Sequence, residues 1–132
     1  MLLNIGDPVT AHYKSGKYTG TITGFRPGVY TVKISSVLRH PVQGDLHNPN
    51  VADVPFFHER KALALGEQAN IAESAVHPFD GEAANYTDSL LAAVVKIENR
   101  LIAKDDAFTV RSLQALQSVK KEYELMYKVS FE

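Results

Sequence analysis

Cysteine is absent from the 132 residues. Its absence excludes a disulfide framework, a thiol nucleophile, a Cys-based zinc site and any lipid anchor attached through a cysteine sulfur, so no lipobox Cys is present. No apolar run approaches the roughly 20 residues needed to span a bilayer. The start, Met1-Leu2-Leu3-Asn4-Ile5-Gly6-Asp7, has a brief apolar patch without a basic lead and is not expected to act as a secretory signal. Acidic residues are missing between Asp7 and Asp45, where Lys14, Lys17, Arg26, Lys33 and Arg39 all fall. From Asp80 onward the balance reverses, with nine acids facing seven bases. A net charge of −1 therefore hides a bipolar distribution. It suits a protein partner with complementary patches and falls short of the basic balance of a dedicated nucleic-acid binder.

What is there is enough for one domain with a real core, since 45% of the residues are apolar. Val9, Ala11 and Tyr13 alternate with polar neighbours and predict a first strand, and Ser15-Gly16 is expected to make a two-residue turn with Gly at positive φ. A second strand carries Tyr18, Gly20, Ile22 and Gly24 on one face; glycines at alternate positions mark sharp bending or close backbone approach. Pro27-Gly28 fits a type II turn, and Tyr30, Val32 and Ile34 form one face of a third strand. The apolar phase shifts after Ser35-Ser36, as at a bulge. Lys61–Leu65 alternates again and is expected to be a fourth strand with Leu63 and Leu65 inward. Ile71 and Val76–Phe79 suit a short closing strand or a single 3₁₀ turn.

The last third changes period. Leu90, Val94, Ile97 and Leu101, joined by Leu91, Val95 and Ile102, predict a helix over about 87–104, with Asn85 and Asp88 at capping spacing. A second helix is expected from Thr109, with Leu113, Leu116, Val119, Tyr123 and Met126 as its stripe. The fold class is thus mainly β plus α (α+β). A small SH3-like β-barrel over 1–84, carrying a long Pro-rich loop at 40–58, precedes a C-terminal antiparallel helical hairpin over 85–132 packed on it.

The loop from His40 to Arg60 holds three His, three Pro and adjacent Phe, more than a plain connection needs. Together with Tyr13–Tyr18, Val37–Pro41, Gln43–Pro49, Ala52–Arg60, Glu67–Asn70 and Tyr86–Leu90, it resembles the kinase-associated protein B family of spore-forming bacteria. The resemblance covers nearly the whole chain. It implies a non-enzymatic accessory that supports a sensor histidine kinase in the sporulation phosphorelay through protein–protein contact. The implied setting is cytoplasmic, without direct membrane insertion and at most peripheral to the membrane through the kinase. A homodimer is compatible with it.

The chemistry agrees with a binding role. His40, Asp45, His47, His58 and Glu59 are acceptable metal ligands, but their spacing matches no compact ligand motif, so no metal is expected. No nucleophile elbow, phosphate loop or paired-carboxylate motif appears, which leaves no catalytic residue, cofactor or small-molecule substrate to assign. The alternative is an SH3-like nucleic-acid-binding module, using the five cations of residues 10–44 interleaved with Tyr13, Tyr18, Phe25 and Tyr30. The preferred candidate is a protein-interaction surface made of Asp45, His47, Asn48, Phe56, Phe57, His58, Glu59 and Arg60, because aromatic and Arg side chains favour interface cores. The Phe pair also suits a plug for the open end of the barrel. A second candidate surface is the hairpin strip with Tyr127 and Phe131.

Overall fold

Alternation of apolar and polar side chains builds the first half of the chain into an antiparallel sheet, and 3.6-residue periodicity builds the end into two helices. The computed structural model describes residues 3–45, 49–55 and 57–131. Its elements are β1 (Pro8–Tyr13), β2 (Gly16–Arg26), β3 (Val29–Arg39), β4 (Gln68–Ala72), a 3₁₀ turn (Glu73–Ala75), β5 (Val76–Pro78), α1 (Tyr86–Ile102) and α2 (Ala107–Tyr127). The strand order is β4-β3-β2-β1-β5, every pair antiparallel. The α+β class is as expected. The barrel is a bent five-stranded sheet that does not close, because its edge strands are linked through the 3₁₀ turn and not paired with each other.

Two details bend the sheet. Pairing of β2 with β3 skips Ser35 between Thr19↔Ser36 and Gly20↔Ile34, which is the expected bulge. Gly20 lies so close to β3 that a Cβ there would meet the Lys33 carbonyl oxygen at 2.5 Å, so only glycine fits the crossing.

The first turn differs from expectation by one residue. Lys14 (φ 45°) and Ser15 (φ 69°) take the left-handed positions, and Gly16 already belongs to β2. Ser15 is held there because its Oγ accepts from the Val42 backbone N–H at 2.9 Å. Gly16 is required for space: a Cβ would meet the Tyr18 hydroxyl at 2.5 Å.

The fourth strand also lies elsewhere. Residues 61–65 are irregular, Leu65 is 61% exposed, and β4 is Gln68–Ala72 with Ala69 and Ile71 buried. The reason is chemical. The Ala62 N–H is bonded by the Tyr123 hydroxyl at 2.7 Å, the Leu63 N–H by Tyr18 at 3.2 Å, and the Leu63 carbonyl accepts from Tyr86. Phenols take the backbone partners that a neighbouring strand would have supplied.

Helix α1 is capped as expected, with the Asn85 side chain accepting from the Asp88 N–H at 3.1 Å. Leu90, Val94 and Ile97 are buried, whereas Val95 and Ile102 face out, so the apolar stripe is narrower than the sequence suggested. Helix α2 begins two residues earlier than expected because Asp106 is its cap, accepting from the Thr109 N–H at 2.7 Å. Its buried stripe is Thr109, Ser112, Leu116, Val119 and Tyr123, and Met126 is exposed. One buried cluster runs from Val9, Ile22 and Val32 in the sheet through Leu90 and Val94 to Leu116 and Tyr123. Among the described residues, no helix is long and apolar enough to cross a membrane.

Candidate functional site

The segment between β3 and β4 is fastened at its base by side chains of its own. Gln43, 2% exposed, reaches across the neck of the loop: its Nε2 donates to the Arg60 carbonyl at 3.0 Å, and its Oε1 accepts from the Arg60 N–H at 2.8 Å. An amide side chain thus pairs with a backbone as a strand would. The Gly44 N–H donates to the His58 carbonyl at 2.9 Å, and Arg60 Nε donates to the Gly44 carbonyl at 3.3 Å. The ends of the loop are therefore held together in the manner of a compact surface loop.

His40 is fully buried at the start of this segment. Its Nδ1 lies 2.9 Å from the Pro41 carbonyl oxygen, which can only accept, so Nδ1 carries the proton. Its Nε2, 2.8 Å from the Tyr123 hydroxyl, is then the acceptor. A continuous chain results, in which the Ala62 N–H donates to Tyr123, Tyr123 to His40, and His40 to Pro41. Both ring nitrogens are engaged, so His40 is withdrawn from the potential metal-ligand set. Among the described residues, no group of three or more His, Asp and Glu comes together to hold a metal ion.

Burial pushes the His40 imidazole down from 6.5 to about 4, partly offset by its bond to Pro41. Burial likewise raises the Tyr18, Tyr86 and Tyr123 phenols, which therefore keep their protons. The His40 shift carries a pH dependence. Unfolded, His40 binds a proton near 6.5, and folded it does so only near 4. The contribution of the neutral imidazole is complete above the higher value and is lost as pH falls toward the lower. At about 1.4 kcal/mol per pH unit, that gap amounts to about 3 kcal/mol. Urea unfolding across this range is expected to show the loss, and His40→Gln is expected to remove this part of the pH dependence.

The outer part of the loop lies along α2. Phe57 packs against Phe108 with ring centroids 5.8 Å apart, and the Arg111 guanidinium sits 4.6 Å above the Phe57 ring. Arg111 Nη1 also donates to the Ala52 carbonyl. Further along, Ser118 Oγ donates to Glu59 at 3.0 Å, and Lys61 pairs with Glu122 at 3.3 Å. Positions 108, 111, 118 and 122, with buried Ala115 between them, form one stripe of the helix. Helix α2 thus binds the core with one stripe and the loop with the next.

Of the sequence-derived site residues, Asp45, Phe57 and Arg60 are half-buried, and His58 and Glu59 are exposed. His47, Asn48 and Phe56 lie outside the described residues. Phe57 sits on α2, Arg60 bonds within the loop, and Glu59 meets Ser118. Phe57→Ala is expected to lower stability by about 1–3 kcal/mol, short of the 3–5 for a fully buried Phe, as chemical denaturation would measure.

Tyr127 and Phe131, expected on an exposed hairpin strip, are partly buried against the core, with Lys120 Nζ 5.0 Å above the Phe131 ring. The outward apolar side chains of the hairpin are Val95, Ile102, Val110, Leu125 and Met126. Sequence reasoning did not identify Gln43 or Tyr123 as organisers of the loop. The only trace of either is a Tyr within an apolar helical stripe and a Gln beside a Gly. Of the four rings of the nucleic-acid alternative, Tyr18 and Tyr30 are buried in the core, Tyr13 is half-buried with Lys14 Nζ 5.2 Å over its ring, and Phe25 is exposed at the β2–β3 hairpin.

Against known proteins, the sequence profile described as "Kinase associated protein B" matches residues 13–124. Kinase-associated lipoprotein B of Bacillus subtilis (strain 168) is 51% identical over 118 residues, spanning 89% of this chain and 92% of that protein. A crystal structure of kinase-associated protein B from Bacillus cereus superposes with a TM-score of 0.80 at 41% identity, covering 93% of this chain and 99% of that one.

Proposed function

Because the chain belongs to the kinase-associated protein B family, we propose that it is a non-enzymatic accessory of a sensor histidine kinase, acting by protein–protein contact in the sporulation phosphorelay. The observation that carries this reading is the identity of half the residues with the B. subtilis relative across nearly all of both chains. We assign the contact to the loop edge formed by Asp45, Phe57, His58, Glu59 and Arg60. A loop already fastened to α2 loses little conformational freedom when a partner lands on it, which favours affinity at modest area. The working place is the cytoplasm, at the membrane only where the kinase is. The relative's lipoprotein name has no counterpart here in a cysteine.

Affinity capture from sporulating cells, with the intact protein as bait, tests the reading. A sensor kinase is expected among the recovered proteins. Its recovery should fall when the exposed pair His58 and Glu59 is replaced by Ala and Lys, with the melting temperature nearly unchanged. Recovery of RNA, or of a kinase with undiminished yield on the double variant, would sink the mechanism or the surface respectively.

A further inference from the structure

On the outer face of the sheet two cations stand side by side with two histidines next to them, and among the described residues no carboxylate pairs with either cation. His12 on β1 lies directly across from Lys17 on β2, and Lys17 lies across from Arg39 on β3. His77 of β5 joins the same face opposite Thr10. Arg39 Nη2 donates to His12 Nδ1 at 3.3 Å, which leaves the His12 Nε2–H turned to other acceptors. Among the described residues, the ion pairs are Lys61–Glu122 and Lys120–Glu98, so neither Lys17 nor Arg39 has a carboxylate partner. The next strand residues on this face are hydroxyls, with Thr10 across from Thr19 and Thr19 across from Ser36. Like charges placed directly across strands destabilise a sheet. An adjacent cation pair of this kind is complementary to a negatively charged partner surface.

The geometry points to this face of β1, β2 and β3 as a docking site for an acidic segment of a partner protein, with carboxylates received by Arg39, Lys17 and the His12 Nε2–H. Three adjacent strands span about 10 Å, a width suited to one or two carboxylates and too short to track a nucleic-acid backbone. Of the rings that could stack bases, Tyr18 and Tyr30 are inside the core, Tyr13 is half-buried and Phe25 lies at the β2–β3 hairpin. A second copy of this chain is the competing occupant, through acids of its last third such as Glu82 and Glu124, and self-association is the outcome that would identify it. Like-charge neighbours Lys17, Arg39 and His77, acting after burial, also hold the His12 imidazole below its usual value. A bound carboxylate would raise it. The site is separate from the loop edge and does not depend on the kinase assignment.

Titration of the full chain with a glutamate decapeptide, followed by amide NMR, is the test. Shifts are expected at Thr10, His12, Lys17, Arg39 and His77, weakening when salt is raised from about 20 to about 300 mM. The double reversal Lys17→Glu with Arg39→Glu should weaken peptide affinity at least about tenfold. Its melting temperature should stay nearly unchanged, because one cross-strand like-charge pair is exchanged for another. If that variant fails to fold, Lys17→Gln with His12→Gln should still weaken binding about threefold. The proposal is overturned by shifts confined to another surface, by unchanged affinity in the variants or by tighter binding of a ten-nucleotide RNA. Self-association that is abolished by the reversal would equally overturn it in favour of a second copy.

Discussion

A chain ended at Lys104 is expected to lose its cooperative fold altogether. The deletion removes Leu116, Val119 and Tyr123, each at most 1% exposed and each part of the buried cluster that includes Val9, Ile22 and Val32 of the sheet. Emptying a single large core site costs about 2–5 kcal/mol, and three such sites approach or exceed the 5–15 kcal/mol that stabilises an ordinary domain. The deletion also strips the loop of the Phe108, Arg111 and Ser118 contacts. Differential scanning calorimetry of the shortened chain should show no sharp transition, and expression should yield aggregate. A soluble product with dispersed amide resonances would mean that the sheet stands alone and that the helices are an attached arm.

The second large effect rests on one oxygen atom. Tyr123→Phe keeps the ring in place but removes the hydroxyl that accepts from the Ala62 N–H and donates to His40 Nε2. Two buried groups then lose their partners, and each such loss costs about 1–3 kcal/mol. Chemical denaturation should report a drop of about 2–6 kcal/mol. Tyr127→Phe, which alters a half-buried phenol beside Tyr86 that bonds no backbone group of the loop, serves as the comparison and should cost less. If the two variants lose stability equally, the bridge is not what makes Tyr123 important.

These two predictions also mark where the sequence was transparent and where it was not. Strands β1–β3 were legible because their apolar residues alternate, and the α1 cap because Asn85 and Asp88 stand three apart. The segment 61–65 misled because Leu63 and Leu65 imitate a strand. Its backbone partners come from Tyr18, Tyr86 and Tyr123, which lie 45, 23 and 61 residues away from the groups they bond. No local pattern encodes a phenol arriving from that distance. The α2 stripe was only partly legible for a related reason: Thr109 and Ser112 are among its buried positions, and hydropathy does not mark them.

The loop was singled out correctly as unusual, yet its wealth of His, Phe and Arg came from two different demands. His40 and Phe57 are used inward, against Tyr123 and Phe108, whereas His58 and Glu59 reach the surface. The sequence lists these side chains side by side without distinguishing the two roles. Only the position of α2 separates them.

The same helix sets the order in which the molecule can be completed. His40 waits for a hydroxyl 83 residues further along the chain. During synthesis, β1, β2 and β3 can pair well before α2 exists, while the segment after Arg39 has an incomplete set of partners until the last turns are made. Helix α2 is therefore the clasp of the assembly, closed last. A proteolytic cut within it would release the loop and the sheet core together, since both are held by its two stripes.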